Sequence, residues 1–366
     1  MSDPPPLDLI LATNDPNKAA SFFSETLPLC ESWRDVELRL PFDSYSPLFA
    51  HTGHFPLLRT LTLSTESNVW RTGQTITIRN APLLRKVTFP AFSILAVDIP
   101  WEQLTRLTIQ AHVANPAVPT LRRCVNLVRL DFTLTVFGPE LADAGPFTLP
   151  CLKTLRTAGT SILSFITTPI LERLSLRIHH WDDIDLTESL QALLQRSACS
   201  IQKLSFHSFH PAAMSSVEFT TFLGIVPSVD EIELALSDGS DNLFAVLEEE
   251  DVLPRLATLR IVDASGQATF EAAFDVLDKR RETVAGRAVL ESFVLTLAQM
   301  ACSSTSSRPT CSLRPLDQVF PSQCSSLTAL PVGPGDFRRL GLGTCHWHIN
   351  IRRHKTTKYP RIMIYK

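Results

Sequence analysis

The 366-residue sequence predicts an α/β solenoid, a stack of similar units that each contribute one short strand. Two observations predict this fold. First, a phrase of the form Leu-x-x-Leu-x-Leu, often preceded by proline, recurs along the chain with its first apolar positions 19 to 34 residues apart. Second, the last two apolar residues of each copy are separated by one residue, which places both on one face of a strand. The clearest copies read FPLLRTLTL, APLLRKVTF, WEQLTRLTI, CVNLVRLDF, LPCLKTLRT and TPILERLSL.

Stacked copies would pair their strands in parallel. The prediction is therefore a leucine-rich-repeat solenoid, or horseshoe, of about ten repeats with a parallel concave sheet. The segments that return from one strand to the next should be irregular. Loops are expected at 65–73 and 115–119, whereas amphipathic patterns predict helices at 185–199, 215–226, 240–250 and 267–284.

The repeats divide the chain into three parts. Residues 1–31 form an N-terminal capping region, in which a helix at 15–30 would cover the first strand. Residues 32–298 form the solenoid. Residues 299–366 are first Ser/Pro-rich and then basic, and little ordered structure is expected there. From 302 onward the chain has ten Lys and Arg residues and two acidic residues, so an acidic body precedes a basic tail.

Composition also limits the class of protein. No apolar run is long enough to span a membrane, and the N-terminus lacks the basic region of a signal peptide. The eight cysteines are scattered without the spacing of a disulfide framework. We therefore expect a soluble protein of the cytoplasm, the nucleus or both.

The residues that flank the inward leucines should line the concave face, and many of them are charged. A basic stripe on an acidic body would attract an acidic or phosphorylated peptide, and arginine suits such capture. The alternative is that these are ordinary solvated side chains of a sheet surface. The candidate binding residues are Lys86, Arg106, Arg129, Arg156, Arg173, Arg177 and Lys203, followed by the acids Glu231 and Glu233.

No pattern of catalytic, cofactor-binding or metal-binding residues stands out. His179, His180, Asp182 and Asp183 lie close in sequence, but neighbours in an extended segment point to opposite sides, so a loop before a helix is favoured. The cysteines and histidines after residue 300 lack the close pairs of a zinc module. We expect no cofactor, no enzyme activity and no nucleic-acid partner. A hydrolase that uses the His179–Asp183 cluster remains as an alternative.

The repeat phrase with its proline, SWRDVELRLP at 32–41 and DVLDKRRETVAGRAVLESFVLTL at 275–297, together resemble the leucine-rich region of fungal F-box proteins of the basidiomycete type. The resemblance extends from about residue 5 to residue 297. It implies a substrate receptor of a Skp–cullin ubiquitin ligase, in which an F-box binds a Skp-type adaptor and the repeats capture a protein substrate.

The residues before Ser32 do not match the three-helix F-box itself. A Skp-type adaptor is therefore expected as a partner only of a chain that carries an F-box. The alternative is a stand-alone leucine-rich-repeat scaffold that has no connection to ubiquitin.

Overall fold

A computed structural model describes most of the repeat region and two short segments near the C-terminus. The described residues are 5–51, 53–65, 75–90, 94, 97–111, 117–134, 145–177, 186–209, 215–236, 241–249, 251–264, 276, 279–280, 290–297, 348–352 and 361–365.

Within these residues, fourteen strands form one long sheet, and four shorter strands form two separate pairs. In chain order the strands are β1 (Leu7–Ala12), β2 (Trp33–Arg39), β3 (Thr60–Ser64), β4 (Ile76–Thr77), β5 (Lys86–Pro90), β6 (Val97–Asp98), β7 (Arg106–Ala111), β8 (Arg129–Leu134), β9 (Phe147–Thr148), β10 (Thr154–Ala158), β11 (Ile166–Thr167), β12 (Arg173–Arg177), β13 (Lys203–Phe209), β14 (Glu231–Leu236), β15 (Thr258–Ala264), β16 (Ser292–Leu297), β17 (His348–Arg352) and β18 (Arg361–Tyr365).

The described helices are α1 (Pro16–Thr26), α2 (Ser46–Ala50), α3 (Ala117–Arg123), α4 (Leu186–Ser197), α5 (Ser216–Gly224) and α6 (Asp241–Glu248). Short 3₁₀ turns lie at Leu27–Ser32, Phe42–Tyr45, Trp101–Gln103 and Ser161–Ser164.

The long sheet follows chain order from β1 to β18, with β4, β6, β9 and β11 excluded. Its first twelve strands are parallel, from β1 to β16. Each repeat phrase supplies one of these strands in an unbroken sequence of neighbours. The fold is therefore α/β and solenoid-like, as the recurring phrase predicts.

Alternate burial explains why the phrase forms strands. In β3, Leu61 and Leu63 are buried while Thr62 between them is half-exposed. The first leucine of the phrase, Leu58, is also buried, at the turn into the strand. The same alternation repeats in β5 and β12. Buried apolar residues of successive repeats join into a continuous core from Ala19 to Phe293.

The N-terminal region contains a strand that the repeat phrase did not predict. Helix α1 is confirmed, and the Asp15 side chain caps it by accepting from the backbone N–H of Asn17 at 2.9 Å. Before it, however, β1 pairs in parallel with β2 and begins the sheet. The sheet thus begins inside the region 1–31, in the segment LDLILA, which alternates like a strand without containing the repeat phrase.

The return segments differ between the two halves. The predicted helices at 185–199, 215–226 and 240–250 are confirmed by α4, α5 and α6. Earlier returns contain the parallel pairs β4–β6 and β9–β11. The loop predicted at 115–119 is wrong at its end, because α3 begins at Ala117 and buries Val118 and Leu121.

Of the helix predicted at 267–284, residues Val276, Lys279 and Arg280 are described and helical. Arg280 is fully buried and donates hydrogen bonds to the backbone carbonyls of Leu253 at 3.1 Å and Leu247 at 2.6 Å. A guanidinium that donates to carbonyls near the C-terminal end of α6 satisfies groups that the helix itself leaves open. This arginine joins the last return to the preceding one.

Two segments after residue 299 form strands, in contrast to the prediction of little ordered structure there. Strand β17 pairs antiparallel with β16, and β18 pairs antiparallel with β17. Little ordered structure was expected after residue 299, whereas these two segments extend the sheet. Among the helices of the described ranges, none has both the length and the apolar character needed to cross a membrane.

Candidate binding surface

The exposed side chains of the long sheet share one face, which we call the open face. It consists of the residues between the buried apolar positions of each strand. Strand register aligns them across the sheet: Lys86 lies opposite Arg106, and Arg106 lies opposite Arg129. Beyond Arg129 the same row continues through Thr154 to Arg173.

Four cations of this row form the first part of the candidate site. We call Lys86, Arg106, Arg129 and Arg173 the cation row. All four are exposed, and within the described part of the chain none of them makes an ion pair or a side-chain hydrogen bond. Adjacent strands lie about 4.8 Å apart, so the first three cations face one another at the closest spacing that a sheet allows. Among the described residues, these four side chains are therefore exposed cations without an ion-pair partner.

Arg156 behaves differently because neighbouring side chains already bind it. Its guanidinium lies 3.8 Å from the carboxylate of Asp131 and 3.4 Å from the hydroxyl of Ser175. The third nitrogen of the guanidinium lies 3.2 Å from Nε2 of His207, two strands away in the sheet. Arg156 is thus directed along the sheet instead of towards a ligand.

The contact with His207 defines the state of that ring. A guanidinium only donates, so Nε2 of His207 must accept, and the ring is neutral with its proton on Nδ1. Burial, and then the positive charge of Arg156, lower the pKa of His207. Arg177, which occupies the register position opposite His207, acts in the same direction.

A second group of charges lies on β13, β14 and β15, and we call Lys203, Glu231, Glu233 and Arg260 the charge cluster. Lys203 Nζ lies 2.7 Å from the Glu231 carboxylate and 3.5 Å from that of Glu233. Arg260 Nε lies 2.9 Å from Glu231. Burial raises the pKa of Glu231, but the hydrogen bond and charge of Lys203, together with Arg260, outweigh it and hold that pKa below its usual value.

The structure therefore divides the nine predicted residues. Lys86, Arg106, Arg129 and Arg173 remain unpaired among the residues described, and Arg177 lies beside His207. Arg156, Lys203, Glu231 and Glu233 are engaged with side chains of the chain itself. The expected change of sign at Glu231 is present, but the two acids there are balanced by two cations.

The sequence analysis did not identify Arg260 as a partner of Glu231, although the alignment of the two repeats places them on adjacent strands. Arg260 lies opposite Glu233, two residues beyond Thr258, which lies opposite Glu231. It also missed the contact of His207 with Arg156, which reaches across an intervening strand. No spacing pattern in the sequence predicts such a diagonal contact.

One further pair of reactive residue types lies near the N-terminus. Cys30 Sγ lies 3.3 Å from Nε2 of His51. Burial, and then the negative charge of Glu31, raise the pKa of the Cys30 thiol. A raised pKa favours the thiol over the thiolate, which is the opposite of what an activated nucleophile needs.

The remaining candidates from the sequence cannot be placed. His179, His180, Asp182 and Asp183 lie outside the described residues, as do the cysteines after residue 300. In the part of the chain that is described, three or more His, Cys, Asp or Glu side chains nowhere gather into a group able to hold a metal ion.

Comparison with known proteins adds no assignment. No family model matches the chain, and no curated protein sequence matches it.

Proposed function

We propose that this chain is a non-catalytic protein-binding module built as a leucine-rich-repeat horseshoe, with the open face as its concave surface. The parallel order of one strand per repeat supports the horseshoe. The observation that carries the binding role is the alignment of Lys86, Arg106 and Arg129 on three successive strands. The adjoining positions of the row, Thr60 and Thr154, are neutral.

The cation row has an energetic consequence. Like charges directly opposite each other on a sheet destabilise it, by up to about 1 kcal/mol per pair. An anionic ligand would remove this repulsion while it gains charge-assisted hydrogen bonds from the guanidinium groups. An acidic or phosphorylated segment of a partner protein is the ligand class that satisfies both conditions.

The proposed cellular role comes from the resemblance to fungal F-box proteins. In that role the chain is the substrate-recognition part of a Skp–cullin ubiquitin ligase subunit and acts in the cytoplasm or the nucleus. A Skp-type adaptor would bind where an F-box accompanies the repeats. A purified adaptor should therefore be retained by the chain, or by a version extended with upstream sequence where that sequence encodes an F-box. Failure of both the chain and the extended version to retain it would favour a stand-alone scaffold.

The binding role is tested separately with a labelled peptide of alternating Glu and Ser. Replacing Arg106, Arg129 and Arg173 together by Glu should weaken its binding by about 30-fold or more, because three attractions become repulsions. The single variant Arg129→Glu is compared with a matched control, Arg255→Glu. The control replaces an exposed arginine in the turn before β15. It should change affinity by less than about twofold. Equal losses in the two single variants would contradict the assignment of the open face.

A further inference from the structure

The cation row is not evenly spaced. Lys86, Arg106 and Arg129 occupy the adjacent strands β5, β7 and β8, and the next cation, Arg173, lies on β12. The strand between β8 and β12 is β10, and its residue in the row is Thr154. The row therefore has a centre of three cations, a neutral gap and then Arg173, whose next neighbour in the row, Lys203, is paired with Glu231.

Neighbouring charge does not fill this gap. The nearest cation of β10 is Arg156, which lies two residues beyond Thr154 on the same face. Its guanidinium is held by Asp131 and contacts His207 at 3.2 Å. It is thereby held by side chains of the protein itself. The neutral gap is thus maintained by contacts within the protein.

The spacing translates into a length. From β7, the middle of the three-cation centre, to β12 there are three strand steps, or about 14 Å. An extended peptide rises about 3.4 Å per residue, so four residues cover the same distance. Side chains four positions apart in an extended segment also point to the same side.

We propose that the open face recognises an extended segment whose two anionic centres lie four residues apart. The inference rests on the proposed function of this face and specifies its ligand. The first anionic centre lies over Lys86, Arg106 and Arg129, and the second lies over Arg173. The three-cation centre accommodates the larger charge, either a phosphate or adjacent carboxylates.

Neutral donors next to the three-cation centre suit the same ligand. Thr88 and Thr108 lie opposite each other in the second row, two residues beyond Lys86 and Arg106. Both are half-exposed on the open face. Their hydroxyls can donate to an anionic oxygen that the cations hold. The acid nearest in register is Asp131 of β8, which lies opposite Thr108 and is 3.8 Å from the guanidinium of Arg156.

The test uses labelled peptides of equal charge in which two anionic centres are separated by two, four or eight residues. Fluorescence anisotropy would measure their affinity for the whole chain at low and at roughly physiological salt. The four-residue spacing should bind about fivefold tighter than either of the others, the range expected from one additional ion pair. One set of peptides carries pairs of Glu and a second set carries phosphoserine, which separates the carboxylate source from the phosphate source.

The variant Thr154→Arg provides the decisive comparison. It fills the gap and makes the cation row continuous, so the preference for four residues should fall below about twofold while overall affinity rises. Arg255→Glu serves as the control and should keep the preference. Circular dichroism of each variant would check that it retains the fold.

The outcomes distinguish the two proposals. Tight binding without any spacing preference, or a preference unchanged in Thr154→Arg, would overturn this inference and leave the proposed function standing. Absence of binding to every acidic peptide would overturn both. Tighter binding of a single-stranded oligonucleotide than of all the peptides would overturn both in favour of a nucleic-acid surface.

Discussion

The cation row and the charge cluster are neighbours on the open face. Opposite charges are paired in the charge cluster, whereas like charges lie opposite each other in the cation row. In the charge cluster, Lys203 and Glu231 lie opposite each other in register and contact at 2.7 Å. In the cation row, Arg106 and Arg129 lie opposite each other with the same sign. The same sheet geometry thus stabilises one region and strains the other. Under the proposed function, the cation row is the region that an anionic ligand would stabilise.

Charge reversal should give the largest contrast between the two regions. Lys203→Glu would replace two attractions by two repulsions, and it should lower the free energy of unfolding by about 2 kcal/mol. Arg129→Glu would create an attraction to Arg106 and should raise it by about 0.5 kcal/mol. Urea denaturation followed by circular dichroism would measure both.

The comparison depends on the opposite signs of these two effects. If Arg129→Glu destabilised the protein as much as Lys203→Glu does, then Arg129 would have a structural partner. That result would contradict the proposed binding role of the cation row.

Two double-mutant cycles should show the same difference between the regions as coupling energies, which are smaller than the effects of charge reversal. Alanine replacements of Lys203 and Glu231 should give a stabilising coupling of about 1 kcal/mol, because both side chains are half-buried and in contact. The corresponding cycle for Arg106 and Arg129 should give a coupling of about 0.3 kcal/mol with the opposite sign. Added salt should reduce the magnitude of both, and a coupling of the same sign in both cycles would remove the distinction.

Much of the solenoid could be predicted because one physical pattern repeats. Leu61 and Leu63 show by their spacing which side of a strand is buried, and every copy of the phrase adds an independent instance. β1 was missed because it pairs in the sheet without the phrase. The start of α3 was missed because Pro119 suggests a break, although proline is tolerated in the first turn of a helix.

The sequence predicts in which row of the sheet each charged residue lies, but it does not predict the contacts of the side chains. The alternation of residues places Lys86, Arg106 and Arg129 in one row, and the structure has them there. Which cations remain unpaired depends on side-chain rotamers and on contacts between strands far apart in sequence. Arg156 reaches His207 over 51 positions of sequence, so no local pattern distinguishes it from Arg129.

Acidification should have the smallest effect, and it acts on the contact that keeps Arg156 away from the gap. Because the folded state lowers the pKa of His207 from 6.5, the unfolded chain gains a proton first as the pH falls. The groups that face the ring are Arg156 and Arg177, which lower the pKa, and Glu233 and Asp131, which raise it. The contribution of His207 to stability should therefore be full above about pH 6.5 and decline as the pH falls through the folded pKa, by a small amount because water partly screens the site.

The variant His207→Gln separates this effect from other titrations. The glutamine amide oxygen can still accept from Arg156 but does not titrate in this range. The variant should match the wild type in urea midpoint at about pH 7.5 and lose less stability at about pH 5.5. Glu231 does not interfere, because its lowered pKa places its own loss of stability below 4.5. An identical pH profile in the variant would show that the neutral state of His207 does not control how Arg156 is held.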